Sequence, residues 1–142
     1  MKQKVYLACP YTHEKQSVMT MRVEKATKAA AILAKEYVVF SPLTHSHPIS
    51  KHMEPEYQTN GDFWLEQDFA FLAVCDKLLV LCLDGWEKSY GVTEEIKFAH
   101  ENNIPIFYLN ETNYIDDEFS FYPEEEDVEL IRAYFKPRGV NA

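Results

Sequence analysis

The stretch Lys77-Leu78-Leu79-Val80-Leu81-Cys82-Leu83 constrains this chain more than any other. After its lysine it is apolar without a break, of strand length, and bounded by Asp76 before it and Asp84-Gly85 after it. A strand wetted on one face alternates apolar with polar residues. An unbroken run is expected where both faces are covered, as in a parallel sheet flanked by helices. Around it, strand-like and helix-like segments alternate. Val5 to Cys9 reads as a strand stopped by Pro10, and Tyr37 to Phe40 as a second one stopped by Ser41-Pro42. Ile104 to Leu109 reads as the last. Between them lie helical patterns over about 14–36, with Val18, Met21, Ala29, Ile32 and Leu33 as apolar positions, and over about 62–75, opened by Asp62 as N-cap. A third covers about 92–102, and a short one about 124–135. This alternation predicts an α/β fold: a doubly wound, mostly parallel sheet of four to five strands with helices on both faces, flavodoxin- or Rossmann-like.

With 142 residues the chain is expected to form one domain over 1–142, carrying an acidic C-terminal segment at about 111–142. Residues 41–61, with Pro42, Pro48, Pro55 and a closing Asn60-Gly61, read as one long irregular loop, a length that usually carries function. Ligands of doubly wound sheets bind beyond the carboxyl ends of the strands. That rule selects Cys9 to His13, Ser41 to His52, Asp84 to Glu95 and Leu109 to Asn113.

The net charge of −9 is local. Nine of the 23 acidic residues fall between Glu111 and Glu129, where there is no Lys or Arg; the 14 acids elsewhere match the 14 bases. No basic patch is left to neutralise phosphates along a strand, which argues against nucleic acid and for a small-molecule partner. No apolar run approaches the ~20 residues of a membrane span. The start, Met1-Lys2-Gln3-Lys4-Val5, runs into a strand without a secretory apolar region, and Cys9, Cys75 and Cys82 are an odd number in apolar segments. Buried free thiols and a cytoplasmic location are expected.

The segment from Asp84 to Ile96 joins the most buried strand to a helix. Gly85 and Gly91 allow tight turns, and Ser89 and Gly91 stand at a helix start, where free N–H groups favour an anion. Glu94 and Glu95 differ in direction. At about 100° per residue Glu94 points roughly 170° from the face set by Val92, Ile96 and Ala99, whereas Glu95 lies about 65° off it. Glu95 is therefore the partly desolvated carboxylate, suited to a nucleophile or base, or else a plain helix-start charge. Glycosyl chemistry needs a second carboxylate, and Asp68 is the candidate, with the solvent side of its helix as the alternative. Asp84, at a strand end, is a further candidate. His45, His47 and His52 lack neighbouring ligands for a tetrahedral metal site. No metal or cofactor is expected; His45 or His47 hydrogen-bonding a ligand fits better. Trp64 and Trp86 could stack on a base, or simply be core.

The motif Ser89-x-Gly91-Val92-x-x-Glu95-x-x-x-Ala99 resembles the nucleophile segment of the nucleoside 2-deoxyribosyltransferase superfamily, closest to the branch that cleaves nucleoside 5′-monophosphates. Val5 to Tyr11, Glu66-Gln67-Asp68 and Cys75-Asp76 match as well. Up to about Leu109 the chain most resembles an uncharacterised group bearing Gly-Trp-x-x-Ser-x-Gly-Val. The resemblance implies Glu95 as the nucleophile on the sugar's C1′, Asp68 assisting departure of the base, and Ser89 with Gly91 at a 5′-phosphate. Tyr6, Pro10, Tyr11, Asp84, His45 and Trp86 are expected around the substrate. The implied reaction is retaining cleavage, by hydrolysis or base transfer, of the N-glycosidic bond of a nucleoside or its 5′-monophosphate, 2′-deoxy in preference. The alternative is a non-catalytic nucleotide-binding module of the same fold. The resemblance also implies a homo-oligomer. Cys9-Pro10-Tyr11 departs from the Gly-Pro-Phe common in the transferases, which leaves base and sugar preference open.

Overall fold

The computed structural model of the chain describes residues 2–58 and 60–110, together with two short strands further on. Strand β1 (Lys4–Ala8) leads to α1 (Gln16–Leu33), β2 (Val38–Phe40), α2 (Pro42–Ser50) and α3 (Pro55–Gln58). Helix α4 (Gly61–Leu72), β3 (Lys77–Cys82), a 3-10 turn (Trp86–Lys88), α5 (Tyr90–Glu101) and β4 (Ile106–Asn110) follow. β5 (Tyr114–Ile115) and β6 (Glu118–Phe119) form a separate antiparallel pair. The acidic segment otherwise, and the helix expected at 124–135, lie outside the described residues.

The main sheet has the order β2-β1-β3-β4, with every pairing parallel. Each strand feeds alternate residues to two cores. Val5, Leu7, Leu79 and Leu81 pack with Ala26, Ala29 and Leu33 of α1 and Leu43 of α2. Tyr6, Ala8, Leu78 and Val80 pack with Leu72 of α4 and Val92 and Ala99 of α5. The fold is thus the doubly wound α/β arrangement, and β3 is apolar throughout because both of its faces are covered. The chain leaves β1 toward β2 on one side and returns by α4 to β3 on the other. The crevice between the carboxyl ends of β1 and β3 is therefore the switch point at which such sheets bind ligands.

Four sequence expectations are corrected. Residues 41–61 are not one loop, since they contain α2 and α3. Pro42 occupies the first turn of α2, where its missing N–H costs nothing, and burial of Leu43 with the Thr27–Thr44 hydroxyl contact at 2.8 Å holds the helix against α1 despite Pro48. The N-cap of α4 is Asn60, whose side chain accepts from the Phe63 N–H at 3.1 Å; Asp62 sits in the first turn. Along α1 the buried positions are Arg22, Ala26, Ala29 and Leu33, whereas Met21 is exposed. Of the three free cysteines, Cys9 and Cys82 are buried and Cys75 only half-buried.

Candidate active site

The turn after β3 sets the position of Glu95. Gly85 has φ of +89°, a left-handed conformation that glycine adopts without strain, and it launches the 3-10 turn. Ser89 then caps α5, its Oγ accepting from the Val92 N–H at 3.2 Å. Glu95 lies one turn further in, on the face that packs on the sheet, and is 4% exposed. Its carboxylate accepts a hydrogen bond from the phenol of Tyr6, a fully buried residue of β1. Glu94 points outward and pairs with Lys97 at 3.3 Å. The helical-wheel distinction between the two glutamates is thus realised, and burial of Glu95 is deeper than the periodicity indicated.

Asp68 is buried on α4, with Oδ1 making no hydrogen bond among the described residues. Both carboxyls line one cavity of about 470 Å³, a size that suits a small metabolite. Burial pushes Glu95 up from 4.5 to about 8; the hydrogen bond from Tyr6 pulls the other way, and the charge of Asp68 adds to the rise. Burial also takes Asp68 from 3.8 to about 7. The phenol of Tyr6 is held well above 10.0 by burial and then by the charges of Glu95 and Asp68. Two carboxyls that share a site and titrate near neutrality, with a phenol donating to one of them, can divide the roles of nucleophile and proton donor.

The cavity draws on three of the four strand-end segments selected from sequence. Cys9, Tyr11 and Thr12 come from the end of β1, Ser46, His47 and Ser50 from α2, and Lys88 to Gly91 from the start of α5. Trp64 and Leu65 of α4 complete it. Of the fourth segment, Leu109 is not in the lining, and 111–113 lie outside the described residues. Of the candidate residues, Glu95, Asp68, Ser89, Gly91 and Tyr11 face the cavity, and Tyr6 reaches it through Glu95. The others do not meet there. Trp86 is core, packed on Tyr108 at 5.5 Å, so Trp64 is the tryptophan that lines the cavity. His45 is exposed and packs on Phe40 and Phe71, outside the lining, and His47 takes the inner position. The exposed Asp84 contributes its backbone carbonyl to Arg22, and Pro10 is buried behind the lining. Among the described residues no group of three or more His, Cys, Asp or Glu could hold a metal ion.

Two residues were not singled out from the sequence. Lys88 borders the cavity beside Ser89 and brings a cation to the helix start. Arg22, 6% exposed, reaches from α1 to the carbonyls of Tyr11 (3.3 Å), Thr12 (3.1 Å) and Asp84 (2.8 Å). It ties together the two loops that follow β1 and β3. The signal for it was present: Arg22 shares helical spacing with Ala26, Ala29 and Leu33, a charge inside an apolar stripe.

A family model described as a domain of unknown function, DUF1937, matches residues 3–111. The chain belongs to the DUF1937 family. The matched span contains the whole main sheet and every described residue that lines the cavity. No curated protein matches the chain in sequence. Among solved structures, a 2-deoxyribosyltransferase from Bacillus psychrosaccharolyticus is similar at 22% identity and a TM-score of 0.54. The match covers 95% of this chain and 98% of that one. At that identity the likeness speaks to the fold, which this DUF1937 member shares along nearly its full length.

Proposed function

We propose that this DUF1937 protein cleaves the N-glycosidic bond of a nucleoside or nucleoside 5′-monophosphate with retention at C1′. The observation that carries the reading is the buried pair Glu95 and Asp68 in one cavity, with Tyr6 hydrogen-bonded to Glu95. The nucleoside chemistry rests on the motif around Glu95 and on a fold shared with a 2-deoxyribosyltransferase. In the first step the ionised Glu95 attacks C1′, the C1′–N bond breaks, and the base leaves with the proton that Asp68 donates. A glycosyl ester on Glu95 results. Water or a second base then attacks C1′, giving hydrolysis or transfer, and returns a proton to Asp68. The hydrogen bond from Tyr6 favours the anion that Glu95 must be at the start. Lys88 and Ser89 support a 5′-phosphate at the α5 end of the cavity.

The test is incubation with a panel of deoxy- and ribonucleoside 5′-monophosphates and their nucleosides, followed by chromatography for free base. Release is expected from the native protein, lost in Glu95→Gln and retained in Glu94→Ala. Equal loss in Glu95→Ala and Glu94→Ala would contradict the assignment. One observation favours a second reading: a carboxyl raised to about 8 is mostly protonated at neutral pH and then serves as a ligand contact. A nucleotide-binding module would show thermal stabilisation by nucleotides and no base release, with or without an acceptor base. The homo-oligomer implied by the resemblance is checked by light scattering.

A further inference from the structure

The wall of the cavity formed by α2 and the end of β1 is rich in polar side chains, yet most of them are already committed. Ser46 Oγ donates to the Pro42 carbonyl at 2.7 Å, and Ser50 Oγ donates to the His47 carbonyl at 2.7 Å. Cys9 Sγ lies 3.4 Å from the Pro10 carbonyl and 3.7 Å from that of Arg22. His47 differs. Its Nδ1 lies 2.8 Å from the Tyr11 hydroxyl, with the two rings edge-on at 5.6 Å, and Nε2 has no hydrogen-bond partner among the described residues.

A phenol is a far better donor than acceptor toward a neutral imidazole, so the Tyr11 O–H donates and Nδ1 accepts. Burial raises the Tyr11 phenol, which keeps that proton on oxygen. Burial, and then the charge of Lys51, lower His47, so its ring is neutral near pH 7. An acceptor role for Nδ1 in a neutral ring leaves the single ring proton on Nε2. The pair therefore presents one donor of fixed tautomer. Glu95 and the start of α5 serve the sugar and its phosphate in the proposed reaction, and Tyr11 and His47 line the same cavity from the end of β1 and from α2. A base leaving C1′ within that cavity has this wall to meet.

We infer that His47, held in its Nε2–H tautomer by Tyr11, selects the leaving base by donating to a ring-nitrogen or oxo acceptor on it. This rests on the glycosidic reading of the site, which the following experiment tests separately. Whichever nucleotide the native protein cleaves fastest is compared with an analogue whose acceptor is replaced by C–H, such as a 7-deazapurine for a purine. The native protein is expected to disfavour the analogue tenfold or more, because the donor is left unpaired. His47→Phe, which keeps a ring and removes the donor, should reduce that discrimination several-fold, the remainder being the poorer leaving group that a deaza base makes, with binding of 2-deoxyribose 5-phosphate unchanged. Tyr11→Phe is a positioning change: it should weaken discrimination several-fold and add nothing in the His47→Phe background. Base release with undiminished discrimination in His47→Phe, across every acceptor tested, overturns the inference and spares the glycosidic reading. Should no base be released, the same comparison is made by thermal shift with the intact nucleotides. Loss of acceptor preference in His47→Phe then upholds base selection by a binding protein, and no change overturns it.

Discussion

Replacing Glu95 with Gln should stabilise the fold, by an amount that depends on pH. A carboxyl whose folded-state pKa lies above its unfolded value binds more protons folded than unfolded between the two. Stability therefore falls as pH rises through that window. For Glu95 the window runs from 4.5 to about 8. At roughly 1.4 kcal/mol per unit, the rise between about pH 5 and pH 8 costs the native protein about 4 kcal/mol through this one group. The amide of the Glu95→Gln variant has nearly the same shape and can still accept from Tyr6, but it does not titrate. Any fixed difference between carboxyl and amide is the same at every pH, so the pH-dependent part of the difference isolates the titration. Asp68, whose charge contributes to the shift, acts in the same direction. The assay is urea unfolding of both proteins at several pH values across that range. The two are expected to differ by a constant near pH 5, with the Glu95→Gln protein gaining several kcal/mol over the native one by pH 8. A difference that stays constant, or moves the other way, would falsify the claim that the site holds a carboxyl against its preferred charge state. Stability given up at a buried carboxyl is the expected cost of a pre-formed site.

Three further outcomes are expected. Tyr6→Phe removes the donor that lowers Glu95, so the higher of the pair's two ionisations, and with it the alkaline limb of the pH–rate profile, should move upward while kcat/KM near neutral pH drops about 10- to 100-fold, the range for a hydrogen bond to a charged group; an unmoved alkaline limb contradicts the role. With Glu95 ionised and Asp68 protonated in the reactive form, the profile should be a bell centred between about 7 and about 8, reporting the pair as a unit. Asp68→Asn should remove its alkaline limb, and a limb that persists in that variant counts against Asp68 as the acid. Arg22→Met leaves the carbonyls of Tyr11, Thr12 and Asp84 without their shared donor and should cost about 2–4 kcal/mol in urea unfolding, with Arg22→Lys intermediate; a neutral result would show that water takes over those carbonyls.

Parts of the site were legible for identifiable reasons. Glu95 follows from helical geometry alone, since Val92, Ile96 and Ala99 fix the inward face over about two turns. Ser89 and Gly91 follow from the chemistry of helix starts. The choice of His47 over His45 does not follow from sequence, because the prolines of 41–61 read as a loop and only a helix gives each histidine a side. Trp64 and Trp86 are equally aromatic in sequence; which one faces a ligand depends on whether Tyr108 or open space lies beside it. Asp68 was left between site and solvent for the same reason. Its helix carries apolar residues on several sides, and only the placement of α5 against α4 decides which side is covered.

The sequence by itself determined the layered sheet and the carboxylate at the start of α5, because both rest on short-range rules. An unbroken apolar strand requires cover on two faces, and a helix turns by a fixed angle per residue. Only the tertiary structure brought Tyr6 of β1, Asp68 of α4 and Glu95 of α5 together at one cavity, and only it placed His47 beside Tyr11 in the lining. The properties that set this cavity's carboxyls apart are desolvation and mutual charge. Both are set by what surrounds a group in space, and those surroundings come from segments far apart in the chain.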